Sequence, residues 1–167
     1  YVKYVEELSG LKAFNKGIPG GGIVVNTKVK EAVMNTKDGK LDADLITLEV
    51  GANDAKAELG DPSDNTADTF CGALTQCINY LLQNTNARIV VMSSTTGKST
   101  SSGGSTEHGY AERNRCIEEV CRKCCVHYIG LGDESGLGWG RLNNNMDISY
   151  NADYIHHSDL GGYNLAQ

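Results

Sequence analysis

The chain has 167 residues, enough for one domain with a substantial core, and its 40% hydrophobic and 22% charged residues indicate a globular protein. A formal net charge of −6 argues against a nucleic-acid surface, because phosphate binding needs clustered lysine and arginine. No apolar run approaches the roughly 20 residues needed to span a bilayer, so we expect no membrane span.

The first half of the chain alternates helical and strand-like patterns. Residues 1–9 have apolar side chains at helical spacing, and residues 11–15 (LKAFN) predict a short strand before a glycine-rich turn. Residues 44–50 (DLITLEV) form an apolar run typical of a strand that is buried on both faces. A long helix follows, because apolar residues recur at steps of three and four: Ala67, Phe70, Cys71, Leu74, Ile78 and Leu81.

The second half repeats this alternation. Residues 88–94 (RIVVMSS) predict another buried strand, which a polar loop over about 95–109 follows. The next helix carries apolar residues on one face, and 126–131 (VHYIGL) predicts the last strand. Near the chain end, Ser158 or Asp159 is placed to cap a final helix.

Alternating strands and helices with nearly continuous apolar strands predict a parallel sheet covered on both faces. The expected fold class is α/β, a three-layer α/β/α arrangement with a flavodoxin-like, doubly wound parallel sheet. Without internal repeats or a long linker, residues 1–167 are expected to form a single domain.

Six cysteines invite a metal or a disulfide interpretation. The spacing C-x4-C-x2-C-C at Cys116, Cys121, Cys124 and Cys125 is not a usual zinc pattern. Most of the cysteines fall on the apolar sides of predicted helices, where a thiol behaves as a small hydrophobic group. We therefore expect reduced, structural cysteines, which favours a reducing compartment such as the cytoplasm over a secreted location.

Ligands of an open parallel sheet bind at the carboxyl ends of its strands, so the residues that follow each strand are the candidate site. Asn53, in Gly51-Ala52-Asn53-Asp54, can donate its side-chain amide to a developing oxyanion, although these are also ordinary turn residues. The glycines at 20–22 let the backbone present N–H groups to a ligand, or form a common loop. Asp153 and His156, three residues apart, can form a carboxylate–imidazole general base, or belong to a surface loop.

In this order and at these strand ends, the three blocks resemble those of the SGNH (GDSL-like) hydrolase family. Gly20 within N-x-G-x-x-G matches the glycine block, Asn53 matches the G-x-N-D block, and Asp153 with His156 matches D-x-x-H. The resemblance extends over nearly the whole chain, except for the serine block and first strand, which we expect upstream of Tyr1. Truncation at the C-terminus is also expected, within the final helix.

The resemblance implies a serine esterase that needs no metal or cofactor. His156 would act as the base, Asp153 would hold it, and the oxyanion would lie between the N–H of the upstream serine, the Gly20 N–H and the Asn53 side-chain amide. Two departures concern the turn and the base: Pro19 stands where the family often has serine, and His157 follows His156 where proline is common.

Other interpretations remain open. A non-catalytic binding module of the same fold is the main alternative, because fold does not imply function. Gly97-Lys98-Ser99 partly matches a phosphate-binding loop, but Met92 occupies the position of its first glycine, so a nucleotide-binding protein is the weaker alternative.

The substrate is expected to be a small-molecule or carbohydrate ester. The polar 95–109 loop favours a short acyl group such as acetyl, because pockets for long acyl chains are lined by apolar side chains. Tyr110, Trp139 or His108 could contact its alcohol part, although Trp139 also fits a loop anchor.

Overall fold

The computed structural model describes residues 1–36, 42–95, 110–134 and 157–167. Within these ranges the chain forms helices and one parallel sheet, which confirms the predicted α/β fold class. In chain order the elements are α1 (Val2–Ser9), α2 (Lys28–Met34), β1 (Leu45–Val50), α3 (Phe70–Asn84), β2 (Arg88–Ser93), α4 (Tyr110–Cys124), β3 (His127–Ile129), α5 (Leu131–Glu134) and α6 (Asp159–Asn164).

The described strands lie in the order β1-β2-β3, and both pairs are parallel. Leu45 pairs with Arg88 and Val50 with Ser93, so β1 and β2 end at the same level. The connections through α3 and α4 are the long crossovers that parallel pairing requires. Consequently the carboxyl ends of β1 and β2 form one edge of the sheet.

Successive side chains of β2 point to opposite faces of the sheet, and both faces are covered. Ile89 and Val91 belong to the main core, which they share with buried residues of α3 and α4. Val90 and Met92 face a second cluster, which includes Leu131 and is flanked by Tyr1 and Leu165. Burial on both faces explains why β2 is a nearly continuous apolar run in the sequence. The same expectation is wrong for β1: Leu48 and Val50 are buried, but Leu45, Thr47 and Glu49 on its other face are exposed.

Helix α3 confirms the predicted apolar stripe except at Ala67, which is exposed and precedes the helix. Its first residue is Phe70, because the side chain of Thr69 accepts a hydrogen bond from Gly72 N at 3.1 Å and caps the helix. The stripe of α3 forms much of the main core through Phe70, Cys71, Leu74, Cys77, Ile78 and Leu81, all fully or almost fully buried.

The predicted cap of the last helix is also confirmed. Helix α6 spans Asp159–Asn164, and Ser158 is its N-cap, with Oγ accepting a hydrogen bond from Gly161 N at 3.2 Å. Asp159, the other candidate, lies in the first turn of the helix.

Three local features differ from the expectations. Residues 11–15 do not form a strand: Leu11 is 62% and Phe14 64% exposed, and the segment continues from Gly10, a left-handed cap of α1 with φ 71°. Helix α2 was not expected, because its short sequence KVKEAVM offers only Val29 and Val33 at helical spacing. The last predicted strand is shorter than 126–131, since Leu131 already begins α5.

The prediction of six reduced cysteines is wrong for one pair. Cys71 of α3 and Cys116 of α4 form a disulfide, with Cα atoms 6.2 Å apart. Both side chains are buried in the main core, so apolar surroundings alone did not distinguish a thiol from a disulfide. The preference for a reducing compartment, which followed from reduced cysteines, loses its basis.

The other buried cysteines behave as expected of structural thiols. Burial raises the pKa of Cys77 and of Cys121 to about 12. At neutral pH both side chains are therefore protonated and poorly nucleophilic. Within the described ranges, none of the helices has the length and apolar character needed to cross a bilayer.

Candidate functional site

The shared carboxyl edge of β1 and β2 is built from short polar segments. Gly51 follows β1 with φ 103°, a backbone conformation that residues with a side chain rarely adopt. Ser94 follows β2 and is buried, and its Oγ donates a hydrogen bond to Val50 O at 3.1 Å. This bond joins the ends of the two strands directly and so fixes the segments that follow them next to each other.

A tight turn over residues 18–21 lies beside this edge. Gly21 N donates to Ile18 O at 2.9 Å, with Pro19 and Gly20 in the two central positions. Proline at the first central position and a glycine with φ 67° at the second are the signature of a type II turn. Pro19 therefore stiffens this turn, since proline presets the conformation of its turn position.

The surroundings of Gly20 are open, and its backbone N–H is available as a hydrogen-bond donor. A Cβ built at Gly20 would meet no atom within 4 Å, so glycine is required by the positive φ and not by crowding. Within the described residues, Gly20 N–H has no hydrogen-bond partner, whereas its carbonyl accepts from Asn26 Nδ2 at 2.7 Å. The Asn26 side chain also accepts from Gly22 N at 2.8 Å and so closes the 20–26 loop.

The structure brings Asn53 to this turn. The Asn53 Nδ2 atom donates to Gly21 O at 3.0 Å, across a sequence separation of 32 residues. An amide nitrogen carries two hydrogens, and this bond uses one of them. Asn53 is exposed, so its second N–H lies at an open surface beside the turn that carries the Gly20 N–H. Two such donors can stabilise a negatively charged oxygen.

Sequence reasoning missed Asp54, which lies beneath the same loop. The Asp54 side chain is 1% exposed, and its carboxylate accepts hydrogen bonds from three consecutive backbone N–H groups. Those groups belong to Ile23, Val24 and Val25, at 2.9–3.1 Å. The available signal was its place directly after Asn53, but aspartate is so common in turns that the pattern favoured no special role.

Helix α4 supplies two further residues that the sequence did not single out. Arg113 is 1% exposed, and its Nη1 donates to Ala55 O at 3.4 Å. Asn114 Nδ2 donates to Ser94 O at 3.2 Å. These side chains tie the start of α4 to the segments that follow β1 and β2, and therefore support the edge from one side.

The D-x-x-H block lies outside the described residues. Asp153 and His156 lie outside them, as do Gly97-Lys98-Ser99, His108 and Trp139. His157, which follows His156 in the chain, is described: its Nε2 lies 3.1 Å from Oγ1 of Thr95. Thr95 is buried just beyond the end of β2, so His157 lies at the same carboxyl edge as Asn53 and the glycine turn.

The fold and the polar residues define the class of this molecule. It is an α/β protein with a parallel sheet and a candidate site at the carboxyl ends of its strands. No protein-family model and no curated protein matches the chain. Solved structures do resemble it. One is a protein from Lactobacillus plantarum, with a TM-score of 0.83 and 20% identity, over 98% of this chain and 83% of that chain.

A second similar structure is that of a possible lipase from Chitinophaga pinensis DSM 2588, with a TM-score of 0.72 and 16% identity, over 99% of this chain and 84% of that one. A third crystal structure has a TM-score of 0.70 and 25% identity, over 88% of this chain and 72% of that chain. The proteins from Lactobacillus plantarum and Chitinophaga pinensis are only 20% and 16% identical to this chain, so their likeness establishes the α/β fold alone.

Proposed function

We propose that this protein is an ester hydrolase of the SGNH type, which acts through a serine acyl-enzyme. The observation that carries the proposal is the approach of Asn53 to the turn that holds Gly20, with Asn53 Nδ2 3.0 Å from Gly21 O. Both residues were candidates from the sequence, and they come from segments far apart in the chain. Their available N–H groups match the requirement of an oxyanion hole for donors arranged before the reaction begins.

In the proposed reaction, a serine that precedes Tyr1 in the complete protein attacks the ester carbonyl carbon. His156 takes the proton of the serine hydroxyl, and Asp153 orients His156 and stabilises its charged form. Gly20 N–H and Asn53 Nδ2 bind the oxyanion of the tetrahedral intermediate. The alcohol leaves with the proton from His156, and a water molecule, deprotonated by the same histidine, then hydrolyses the acyl-enzyme.

Two further findings support this proposal. His157 lies at the carboxyl edge through its contact with Thr95, and His156 precedes it directly in the chain. One of the solved structures with the same fold is of a possible lipase, whose chemistry is also ester hydrolysis.

The first experiment is labelling of the complete protein with a fluorophosphonate probe, with the modified residue mapped by mass spectrometry. We expect a labelled serine upstream of Tyr1, and we expect His156→Ala to abolish the labelling. His127→Ala is the matched control, because His127 is an exposed histidine of β3 and should leave labelling intact. No labelling of the folded protein would favour the non-catalytic binding module.

We further propose a short acyl group, such as acetyl on a carbohydrate, as the substrate. The polar composition of residues 95–109 is the basis for this choice. Comparison of kcat/KM for p-nitrophenyl acetate and p-nitrophenyl octanoate tests it, followed by acetate release from an acetylated polysaccharide. A preference for the octanoate ester would reject the short-acyl assignment while leaving the esterase proposal in place.

A further inference from the structure

Asp54 is a buried carboxylate that takes no part in the proposed reaction. It follows Asn53 directly in the chain and holds three N–H groups of the loop that begins at Gly20. We infer that Asp54 is a positioning residue, which holds this loop against Asn53 so that the two oxyanion donors face one point. The inference rests on the proposed esterase function and assigns Asp54 a role within that site.

The hydrogen bonds of Asp54 join the two donors through short, stiff links. Asn53 and Asp54 are consecutive residues, so the backbone atoms that carry their side chains are only about 3.8 Å apart. From there Asp54 binds Ile23, Val24 and Val25, while Asn53 binds Gly21 O. Hydrogen bonds to an ionised acceptor are stronger than neutral ones, and a buried carboxylate without them would be costly. The loop is therefore held in one place.

Gly22 shows how closely the loop lies on this carboxylate. A Cβ built at Gly22 would be 2.6 Å from Oδ1 of Asp54, closer than real Cβ contacts occur. The φ of Gly22 is not in the positive range, so a side chain is excluded here by space alone. A methyl group at this position would consequently move the loop away from Asp54 without altering the charge.

Asn26 completes the arrangement on the other side of the loop. Its side chain accepts from Gly22 N and donates to Gly20 O, and so connects the part held by Asp54 to the turn that carries the oxyanion donor. Asp54 therefore acts on Gly20 through the loop and on Asn53 through the backbone. An oxyanion hole depends on donor positions within a few tenths of an ångström, which makes such a support important for kcat.

The test uses the complete protein with two variants that release the loop in different ways. Asp54→Asn replaces one acceptor oxygen by a donor facing backbone N–H groups, and Gly22→Ala displaces the loop sterically. Asp61→Asn is the matched control, because Asp61 also accepts a backbone N–H, from Ser63 at 2.7 Å, but is exposed. Amide hydrogen exchange over residues 18–26 and steady-state kinetics with p-nitrophenyl acetate are measured for each.

We expect both loop variants to exchange the amides of residues 22–26 about tenfold faster or more, while the control does not. We expect kcat to fall by about tenfold or more, with KM changed by less than about twofold, because the effect is on the transition state. A purely structural role would lower stability without this separation of kcat from KM. If Asp54→Asn does not fold, amide exchange and kcat of Gly22→Ala test the inference in its place.

Folded variants with unchanged exchange, or with faster exchange and an unchanged kcat, would overturn the inference. The failure of the proposed function gives a different pattern. In that case the wild-type protein hydrolyses no ester, or Asn53→Ala keeps full activity, and the positioning role of Asp54 is then rejected together with the oxyanion hole.

Discussion

Reduction of the Cys71–Cys116 disulfide should destabilise this protein strongly. The bond joins α3 to α4 across a sequence separation of 45 residues, and both cysteines are buried in the main core. In the chain-entropy model, a loop of that size corresponds to about 4 kcal/mol at 25 °C. For a chain of this length, each kcal/mol shifts the melting temperature by about 2–4 °C, so we expect a decrease of about 8–16 °C.

The assay is differential scanning calorimetry of the purified protein with and without a phosphine reductant. Thiol titration of the unfolded chain should first find four thiols, those of Cys77, Cys121, Cys124 and Cys125, and six after reduction. The double variant Cys71→Ala/Cys116→Ala is the control, because the reductant should not change its melting temperature.

Two results would refute this reasoning. Six thiols in the unreduced protein would mean that the bond does not form under the conditions of expression. A change of less than about 2 °C after complete reduction would mean that loop closure contributes little here, since it corresponds to less than 1 kcal/mol.

Three further groups of measurements test the site and its supports. Asn53→Ala should lower kcat for p-nitrophenyl acetate by about a hundredfold or more in a protein that still folds, since one oxyanion donor is lost, and an unchanged rate would remove Asn53 from the site. Thr69→Ala should lower the unfolding free energy in urea by about 1–2 kcal/mol through loss of the α3 cap. Gly51→Ala should lower it by about 1–3 kcal/mol because of its positive φ. An unchanged urea midpoint would contradict either expectation. Iodoacetamide at pH 8 should leave Cys77 and Cys121 of the folded protein unmodified, because burial raises both pKa values to about 12 and the thiolate is the reacting form. Alkylation of either residue, mapped by mass spectrometry, would contradict that account.

Hydrophobic patterning predicted the elements that lie in the centre of the molecule. β1, β2 and α3 were expected from runs and stripes of apolar residues, and each contributes buried side chains to the main core. In β1 these are Leu48 and Val50, whereas Leu45, Thr47 and Glu49 are exposed. LKAFN also looks like a strand, but Leu11 and Phe14 are exposed and the segment has no sheet partner among the described residues. Local pattern predicts burial well only where a partner element exists.

The disulfide illustrates a second limit. Cys71 was expected on the apolar face of its helix, which is correct, whereas Cys116 was not singled out and is also buried. Whether two such cysteines meet depends on how α3 and α4 pack, and spacing along the chain contains no information about that. The packing brings their Cα atoms to 6.2 Å, within the range that a disulfide needs.

The sequence by itself determined the α/β class and which polar residues follow the strands, because strand periodicity and chain order are local properties. Gly20 and Asn53 were candidates on that basis, and their roles as oxyanion donors stay a prediction, as do those of Asp153 and His156. Only the tertiary structure decided that Asn53 contacts Gly21 across 32 residues and that Asp54 binds the loop after Gly22. Hydrogen bonds extend about 3 Å, so they depend on where the folded sheet places its edge and not on distance along the chain.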